Sequence, residues 1–129
     1  MVTAERFAQG LTLPEYVAQM GVNRERFVRA LEAAAIRPDD EQVLERLPGT
    51  AKVLVITEDW CGTSIAYIPF VARLVEGRPG IEMRIFLRDA NPDIMDRYLK
   101  RGLYRSIPVF VFFDREMNEL ARFIEAPPV

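Results

Sequence analysis

The spacing of hydrophobic positions changes once along the chain, near residue 50. Before that point apolar residues recur every three or four positions, as Phe27, Leu31 and Ala34 do, which is the period of an amphipathic helix. After it, short apolar runs such as "AKVLVIT" are typical of strands covered on both faces. We therefore predict a helical extension over residues 1–49 that packs on an α/β domain over residues 50–129, forming a single globular unit.

Capping residues place three helices in the first part of the chain. Thr12 and Glu15 stand at capping-box spacing before "LPEYVAQM", and a proline occupies the first turn. Asn23 can cap a second helix, and Asp39 and Gln42 repeat the capping-box spacing in "DDEQVLERL". The predicted extension is therefore helical throughout.

Strands and helices alternate in the second part. "TSIAYIPFVARLVEG" predicts a helix that Pro69 must kink or end, and "IEMRIFL" predicts a strand. "NPDIMDRYLKRG" predicts a helix capped by Asn91 and ended by Gly102, before a hairpin of "VFVFF" and "LARFI". Two strands joined through a helix are parallel, so this order predicts a mixed four-stranded sheet with an antiparallel edge.

Composition and charge exclude several classes of function. A net charge of −2 gives no electrostatic reason for a nucleic-acid surface, although "YVAQMGVNRERFVRALE" has the outline of a helix-turn-helix motif. The amino terminus has neither a secretory leader nor a membrane span, so we expect a cytoplasmic protein without a membrane partner. One cysteine excludes an internal disulfide. With no histidine in the chain, we predict no metal site.

The lone cysteine is the candidate for chemistry. Cys61 follows the first predicted strand directly and would begin a helix, where unpaired backbone N–H groups stabilise an anionic sulfur. Ser64, one turn further on, could donate a hydrogen bond to that sulfur. Glu58 and Asp59 oppose the thiolate, but as exposed charges they should act weakly through water. We therefore expect a reactive thiolate, with Cys61 and Ser64 as the catalytic residues.

Four motifs at consistent spacing resemble the thioredoxin superfamily over residues 50–126. They are "WCGTS" at a strand-to-helix junction, Pro69 eight residues after Cys61, "DANP" before the next helix and "SIPVFVFF" at the hairpin. The helical first third is also similar to bacterial thioredoxin-like proteins whose redox helix starts Trp-Cys-Gly and lacks the second cysteine. The resemblance implies a thioredoxin-like fold and a role in cell redox homeostasis.

The resemblance also implies the substrate-binding residues. The Ile107–Pro108 peptide bond would be cis and lie beside the sulfur of Cys61, and Ile107 would present its backbone to an extended client. Trp60 would form an apolar rim. Two neighbours of the cysteine, Gly62 and Thr63, complete the predicted binding loop.

Three features depart from the family pattern. Ser64 replaces the second cysteine, and Val55 stands where thioredoxins place a buried carboxylate that shuttles protons. The sequence ends at "EAPPV", where the family would begin a terminal helix that covers one sheet face. Either the amino-terminal helices or a second copy of the chain would have to cover that face.

These features predict a monothiol thiol–disulfide oxidoreductase. Cys61 would form mixed disulfides with client proteins, and an external thiol would resolve them. That thiol would be glutathione or another low-molecular-weight thiol as co-substrate, a client cysteine or a second copy. The alternative is a non-catalytic protein-binding module, which could form a homodimer. "CGTS" is also similar to monothiol glutaredoxins, which hold an iron–sulfur cluster between two copies, but their glutathione site after the hairpin is missing here.

Overall fold

The computed structural model of the chain describes residues 1–125. Within that range the helices are α1 (Ala4–Phe7), α2 (Leu13–Gln19), α3 (Arg24–Ala33), α4 (Pro38–Glu45), α5 (Gly62–Glu76) and α6 (Pro92–Met95). The strands are β1 (Lys52–Thr57), β2 (Glu82–Leu87), β3 (Val109–Phe113) and β4 (Glu119–Ile124). Residues 126–129, which hold most of the carboxyl-terminal "EAPPV", lie outside the described residues.

The four strands form one mixed sheet in the order β2-β1-β3-β4. β1 runs parallel to β2, with Val55 opposite Ile85, and antiparallel to β3, with Val55 opposite Phe110. β3 and β4 form the antiparallel hairpin at the edge. The thioredoxin-like fold predicted from the sequence, a mixed four-stranded sheet flanked by helices, is therefore confirmed.

Both faces of the sheet are covered by the chain itself. One face packs against α5 and the amino-terminal helices, which bring Tyr16, Phe27 and Leu44 into the same cluster as Val53 and Val55. The other face packs against α1 and α6. Of the two covers that the sequence leaves open, the structure shows the amino-terminal helices. Residues of the helices and of the sheet belong to the same clusters. The predicted division of the chain between residues 49 and 50 stays a prediction.

The segment between α1 and α2 extends the sheet beyond β2. Leu11 and Ile85 exchange two backbone hydrogen bonds, each 2.8 Å long, in an antiparallel bridge. The preceding Gly10 lies flat against the sheet, and its carbonyl accepts a hydrogen bond from Arg84 at 3.0 Å. An added Cβ at Gly10 would lie 2.7 Å from the Phe86 ring. Only glycine fits this close approach.

Several element boundaries differ from the prediction. α2 has its predicted capping box of Thr12 and Glu15, but α4 begins at Pro38, earlier than predicted. Its cap is the Asp40 carboxylate, which accepts the Arg37 N–H at 2.9 Å, so the predicted pair of Asp39 and Gln42 is wrong.

Two further predictions concern Pro69 and the helix after β2. α5 continues through Pro69, which is buried inside it, so this proline does not end the helix. The long helix predicted after Asn91 is only the four residues of α6. The Asn91 side chain does not cap it, because its Oδ1 accepts a hydrogen bond from Arg6 at 2.9 Å, while its Nδ2 donates to the Leu87 carbonyl at 2.8 Å. The chain then turns and buries Tyr98 in the core.

Replacing Gly10 by alanine tests the close approach to the sheet. We expect Gly10→Ala to lower the free energy of unfolding by about 1–3 kcal/mol, the usual cost of overpacking, because the new Cβ would meet the Phe86 ring. Urea denaturation measures the change. Gly80→Ala is the control, since a Cβ there meets nothing within 4 Å. Equal losses for both variants would contradict this account.

Candidate functional site

A tight turn at the end of β1 presents the only cysteine. The carbonyl of Glu58 accepts the Cys61 N–H at 3.2 Å and the Thr57 hydroxyl at 3.3 Å. Cys61 is the N-cap residue of α5, with extended backbone, and its side chain makes no cap hydrogen bond. The sulfur is therefore free for chemistry at the start of a 15-residue helix.

The sulfur faces the loop before β3. Cys61 is half-buried, and its Sγ lies 3.9 Å from the carbonyl oxygen of Ile107. The Ile107–Pro108 peptide bond is cis. The structure thus brings together the thiol and the prolyl peptide that the resemblance placed beside it.

Ser64 does not contact the sulfur as expected. Its side chain is 1% exposed, and Oγ has no hydrogen-bond partner within residues 1–125. Ser64 shares one stripe of α5 with Ile68 and Val71, which pack in the same cluster as Val55. The predicted hydrogen bond to Cys61 is therefore absent. Leaving a buried hydroxyl unpaired costs about 1–3 kcal/mol.

The predicted binding loop beside Cys61 is open to solvent, and one residue that was not predicted, Arg88, contacts it. Trp60 is 53% exposed, and Gly62 and Thr63 are exposed beside it. The Arg88 guanidinium stacks over the Trp60 ring at 5.0 Å from its centroid, and it also donates to the carbonyl of Arg105 at 3.3 Å. The rim is therefore amphipathic. Sequence reasoning missed Arg88, which no local motif marks.

The two carboxylates before the cysteine are not free surface charges. Glu58 accepts the backbone N–H of Asp89 at 3.0 Å. Asp59 Oδ2 accepts the N–H groups of Gly21 at 2.8 Å and Val22 at 3.3 Å. Both side chains are half-buried, which corrects the expectation that they act as exposed charges. Their partners lie far away in sequence and carry no signal there.

Hydroxyl groups, not carboxylates, line the buried side of the turn. Val55 is 0% exposed, and in residues 1–125 the buried polar side chains other than tyrosine are Thr57 and Ser64. Tyr16 packs in the same cluster as Val55. Burial raises the pKa of Tyr16 to about 12, against the opposing effect of the Thr57 hydroxyl, so the phenol stays protonated at neutral pH.

Within residues 1–125, no three His, Cys, Asp or Glu side chains are grouped so that they could hold a metal ion. In the same range no helix combines the length and apolar character needed to cross a membrane.

A thiol at the start of a helix, facing a cis-prolyl peptide that precedes an inner strand of a mixed sheet, defines the class of thioredoxin-fold proteins. A family model described as thioredoxin matches residues 10–129. The chain therefore belongs to the thioredoxin family. Membership supports a redox role in general and does not specify the reaction.

Three solved structures are similar to this chain. A protein of unknown function from Pseudomonas aeruginosa shares 24% identity at a TM-score of 0.76, over 99% of this chain and 80% of that one. An HIV epitope scaffold shares 25% identity at a TM-score of 0.74, over 98% and 79%. A thioredoxin from Fasciola hepatica shares 26% identity at a TM-score of 0.48, over 67% and 78%. No curated protein matches the chain. The first two similarities support the fold.

Alkaline titration tests the burial of Tyr16. An unfolded tyrosine ionises near pH 10, whereas burial raises the folded pKa of Tyr16 to about 12. The stability contributed by burying the neutral phenol is complete below about pH 10 and is lost as the pH rises towards 12. We expect Tyr16→Phe to weaken this fall in stability, measured as urea midpoints across that range. Tyr104→Phe, at a 58% exposed tyrosine, is the control. Identical pH profiles for Tyr16→Phe and the unchanged protein would contradict the prediction.

Proposed function

We propose that this protein is a monothiol thiol–disulfide oxidoreductase that acts through Cys61. The observation that carries the proposal is the position of the sulfur. Cys61 is half-buried at the start of α5, and its Sγ lies 3.9 Å from the carbonyl oxygen of Ile107, the residue before the cis proline. A disulfide that approached along this loop would meet the sulfur directly.

The first step is attack by the Cys61 thiolate on a client disulfide. A bond forms between Sγ and one client sulfur while the client S–S bond breaks, and the departing thiolate takes a proton from water. The unpaired N–H groups of the first turn of α5 stabilise the attacking anion, by up to about 2 kcal/mol in favourable geometry. Glu58 and Asp59 oppose it little, because backbone N–H groups already bind their carboxylates.

The second step needs a thiol from outside the chain. The Ser64 hydroxyl cannot attack a disulfide at neutral pH, and Cys61 is the only cysteine. An external thiolate attacks the mixed disulfide and releases Cys61 as a thiolate. Glutathione or a similar low-molecular-weight thiol serves as co-substrate, or a second cysteine of the client completes an isomerisation. The cycle therefore exchanges disulfides without changing the redox state of the enzyme.

Clients dock on the exposed loop around the cysteine. The backbone of Ile107 pairs with an extended client segment, and the exposed Trp60, Gly62 and Thr63 contact its side chains. With Val55 in place of a buried carboxylate, water carries the protons. Exchange with small thiols suits the cytoplasm, which is reducing.

One observation favours a non-catalytic binding module as the second candidate. Ser64 Oγ makes no hydrogen bond to the sulfur, and no carboxylate is buried near it in the described part of the chain. A domain that had given up redox chemistry would show the same losses. In that case the exposed rim around Trp60 would bind proteins without forming a disulfide.

Incubation with oxidised glutathione separates the two candidates. At neutral pH we expect one glutathione to add to each chain, because a single thiolate forms a single mixed disulfide. Intact mass spectrometry measures the adduct. It should be absent in Cys61→Ser and should disappear when reduced glutathione is added. If no adduct forms over hours, the binding module is the better account. A brown iron–sulfur chromophore on purification would instead favour the glutaredoxin-like alternative.

A second thiol at position 64 tests the geometry of the cycle. Ser64→Cys places a thiol one turn after Cys61, so we expect it to attack the mixed disulfide and release glutathione, leaving an internal disulfide. The mass then falls by two hydrogens relative to the reduced chain. Ala66→Cys, at an exposed position of α5, is the matched control and should keep its adduct. Equal persistence of the adduct in both variants would argue against this arrangement.

A further inference from the structure

Asn23 departs from the chemistry expected at the start of a helix. It is the N-cap residue of α3, yet its φ is 62°, in the left-handed region, and its side chain makes no cap hydrogen bond. Asparagine enters the left-handed region more readily than most L-residues, but a lost cap typically costs about 1 kcal/mol. The cap preference is therefore unsatisfied at Asn23, and such local conflicts are a common sign of a functional constraint.

The Asn23 amide is used elsewhere. Its Nδ2 donates to the backbone carbonyl of Asp59 at 3.0 Å, and the Asp59 carboxylate accepts the N–H groups of Gly21 and Val22. Three hydrogen bonds therefore join residues 21–23, which we call the α2–α3 corner, to one residue of the turn that holds Cys61. Asp59 stands two residues before the cysteine.

Burial does not explain this contact. Val22 is 50% exposed and Gly21 is also exposed, whereas Met20, just before the corner, is 2% exposed and anchors the end of α2 in the core. The corner thus lies on the surface, and polar groups alone tie it to the turn. Hydrophobic packing of the amino-terminal helices would be satisfied without it.

We propose that Asn23 and Asp59 are positioning residues for the thiol, an inference that rests on the proposed function. Their contact fixes the turn from Glu58 to Cys61, so that the sulfur remains at the start of α5 and opposite Ile107. The two N–H groups of the corner also draw the Asp59 charge away from the sulfur. Small displacements of a reacting group are costly in rate, so a turn held from both sides favours attack.

Other charged groups around the turn act alongside this contact. Glu58 is bound by the Asp89 N–H, and Arg88 stacks on Trp60 and pairs with the Asp89 carboxylate at 2.9 Å. Arg24, the first residue of α3, is turned back to the carbonyls of Ala18 and Met20. Burial raises the pKa of the nearby Tyr16 phenol, and the charges of Asp59, Glu58 and Cys61 raise it further.

Asn23→Gly removes the amide and keeps the backbone. Glycine adopts positive φ without strain, so this variant should fold as well as the unchanged protein. We expect iodoacetamide to alkylate Cys61 about two- to tenfold more slowly at neutral pH, the factor that one lost hydrogen bond corresponds to. The pH at half-maximal alkylation rate should rise. A purely structural role would lower the melting temperature and leave that pH unchanged.

A matched control and an opposing variant sharpen the test. Asn118→Gly removes an amide that donates to Asp114 in the β3–β4 turn, at the end of β3 remote from Pro108, and should leave alkylation unchanged. Asp59→Asn removes the charge and weakens the contact. If Asp59 positions the turn, this variant also slows alkylation. If Asp59 acts only as a nearby negative charge, Asp59→Asn accelerates alkylation and overturns the proposal.

The outcome is separable from that of the proposed function. Alkylation reports on the thiol whether or not Cys61 exchanges disulfides. Slower alkylation of Asn23→Gly, in a protein that forms no glutathione adduct, would support the positioning role and reject the oxidoreductase. Unchanged alkylation of that variant, in a protein that forms the adduct, would do the reverse.

Discussion

The burial of β1 on both faces is the constraint on which the site depends. Val53, Leu54, Val55 and Ile56 are each 0% exposed, and the strand pairs with β2 on one side and β3 on the other. Fully burying one such side chain contributes about 1.5–3 kcal/mol, so this short strand cannot shift its register cheaply. The turn to Cys61 begins where β1 ends. Pro108 directly precedes β3, the neighbouring strand, and the pairing of these strands therefore sets the approach of the sulfur to Ile107.

A second requirement is that negative charge near the sulfur be balanced. Two carboxylates precede Cys61 in the chain, which would disfavour a thiolate if both were free. Backbone N–H groups from two different segments bind them instead: Asp89 binds Glu58, and the α2–α3 corner binds Asp59. Hydrogen bonds from N–H groups stabilise a carboxylate in its ionised form. Both carboxylates are therefore held in place beside the turn of Cys61, and neither is a free surface charge.

Elements dominated by periodicity could be predicted from the sequence, and details that depend on distant partners could not. The pattern at "AKVLVIT" predicted β1, and the capping box of Thr12 and Glu15 was correct because both partners lie within one turn. Asn23 and Asn91 also occupy cap positions, but their amides bond to Asp59 and to Leu87. A local motif cannot reveal which partner a side-chain amide chooses once the chain is folded.

At the candidate site, too, features marked by adjacent residues could be predicted, and features that depend on distant partners could not. Cys61, Trp60 and the Ile107–Pro108 peptide could be identified because adjacent residues carry the family motif. The hydrogen bond expected from Ser64 to the sulfur is absent, and the Ser64 hydroxyl is buried on α5 without a partner in the described residues. Arg88 and the α2–α3 corner were missed, since only the tertiary fold brings them to the turn. Sequence motifs thus located the cysteine and the prolyl peptide that face each other, and their surroundings required the structure.

The amino-terminal helices link the stability of the fold to the chemistry of the thiol. Tyr16 and Phe27 pack edge to face, with ring centroids 5.5 Å apart, in the cluster that covers one face of the sheet. α2 and α3 thus form part of the cover of that face in the described part of the chain. Because these two helices are joined by the α2–α3 corner, the element that closes the core also reaches the turn of Cys61. A change that loosened the helices would therefore disturb the thiol before it unfolded the sheet, since the corner is held by three hydrogen bonds and the sheet by its buried core.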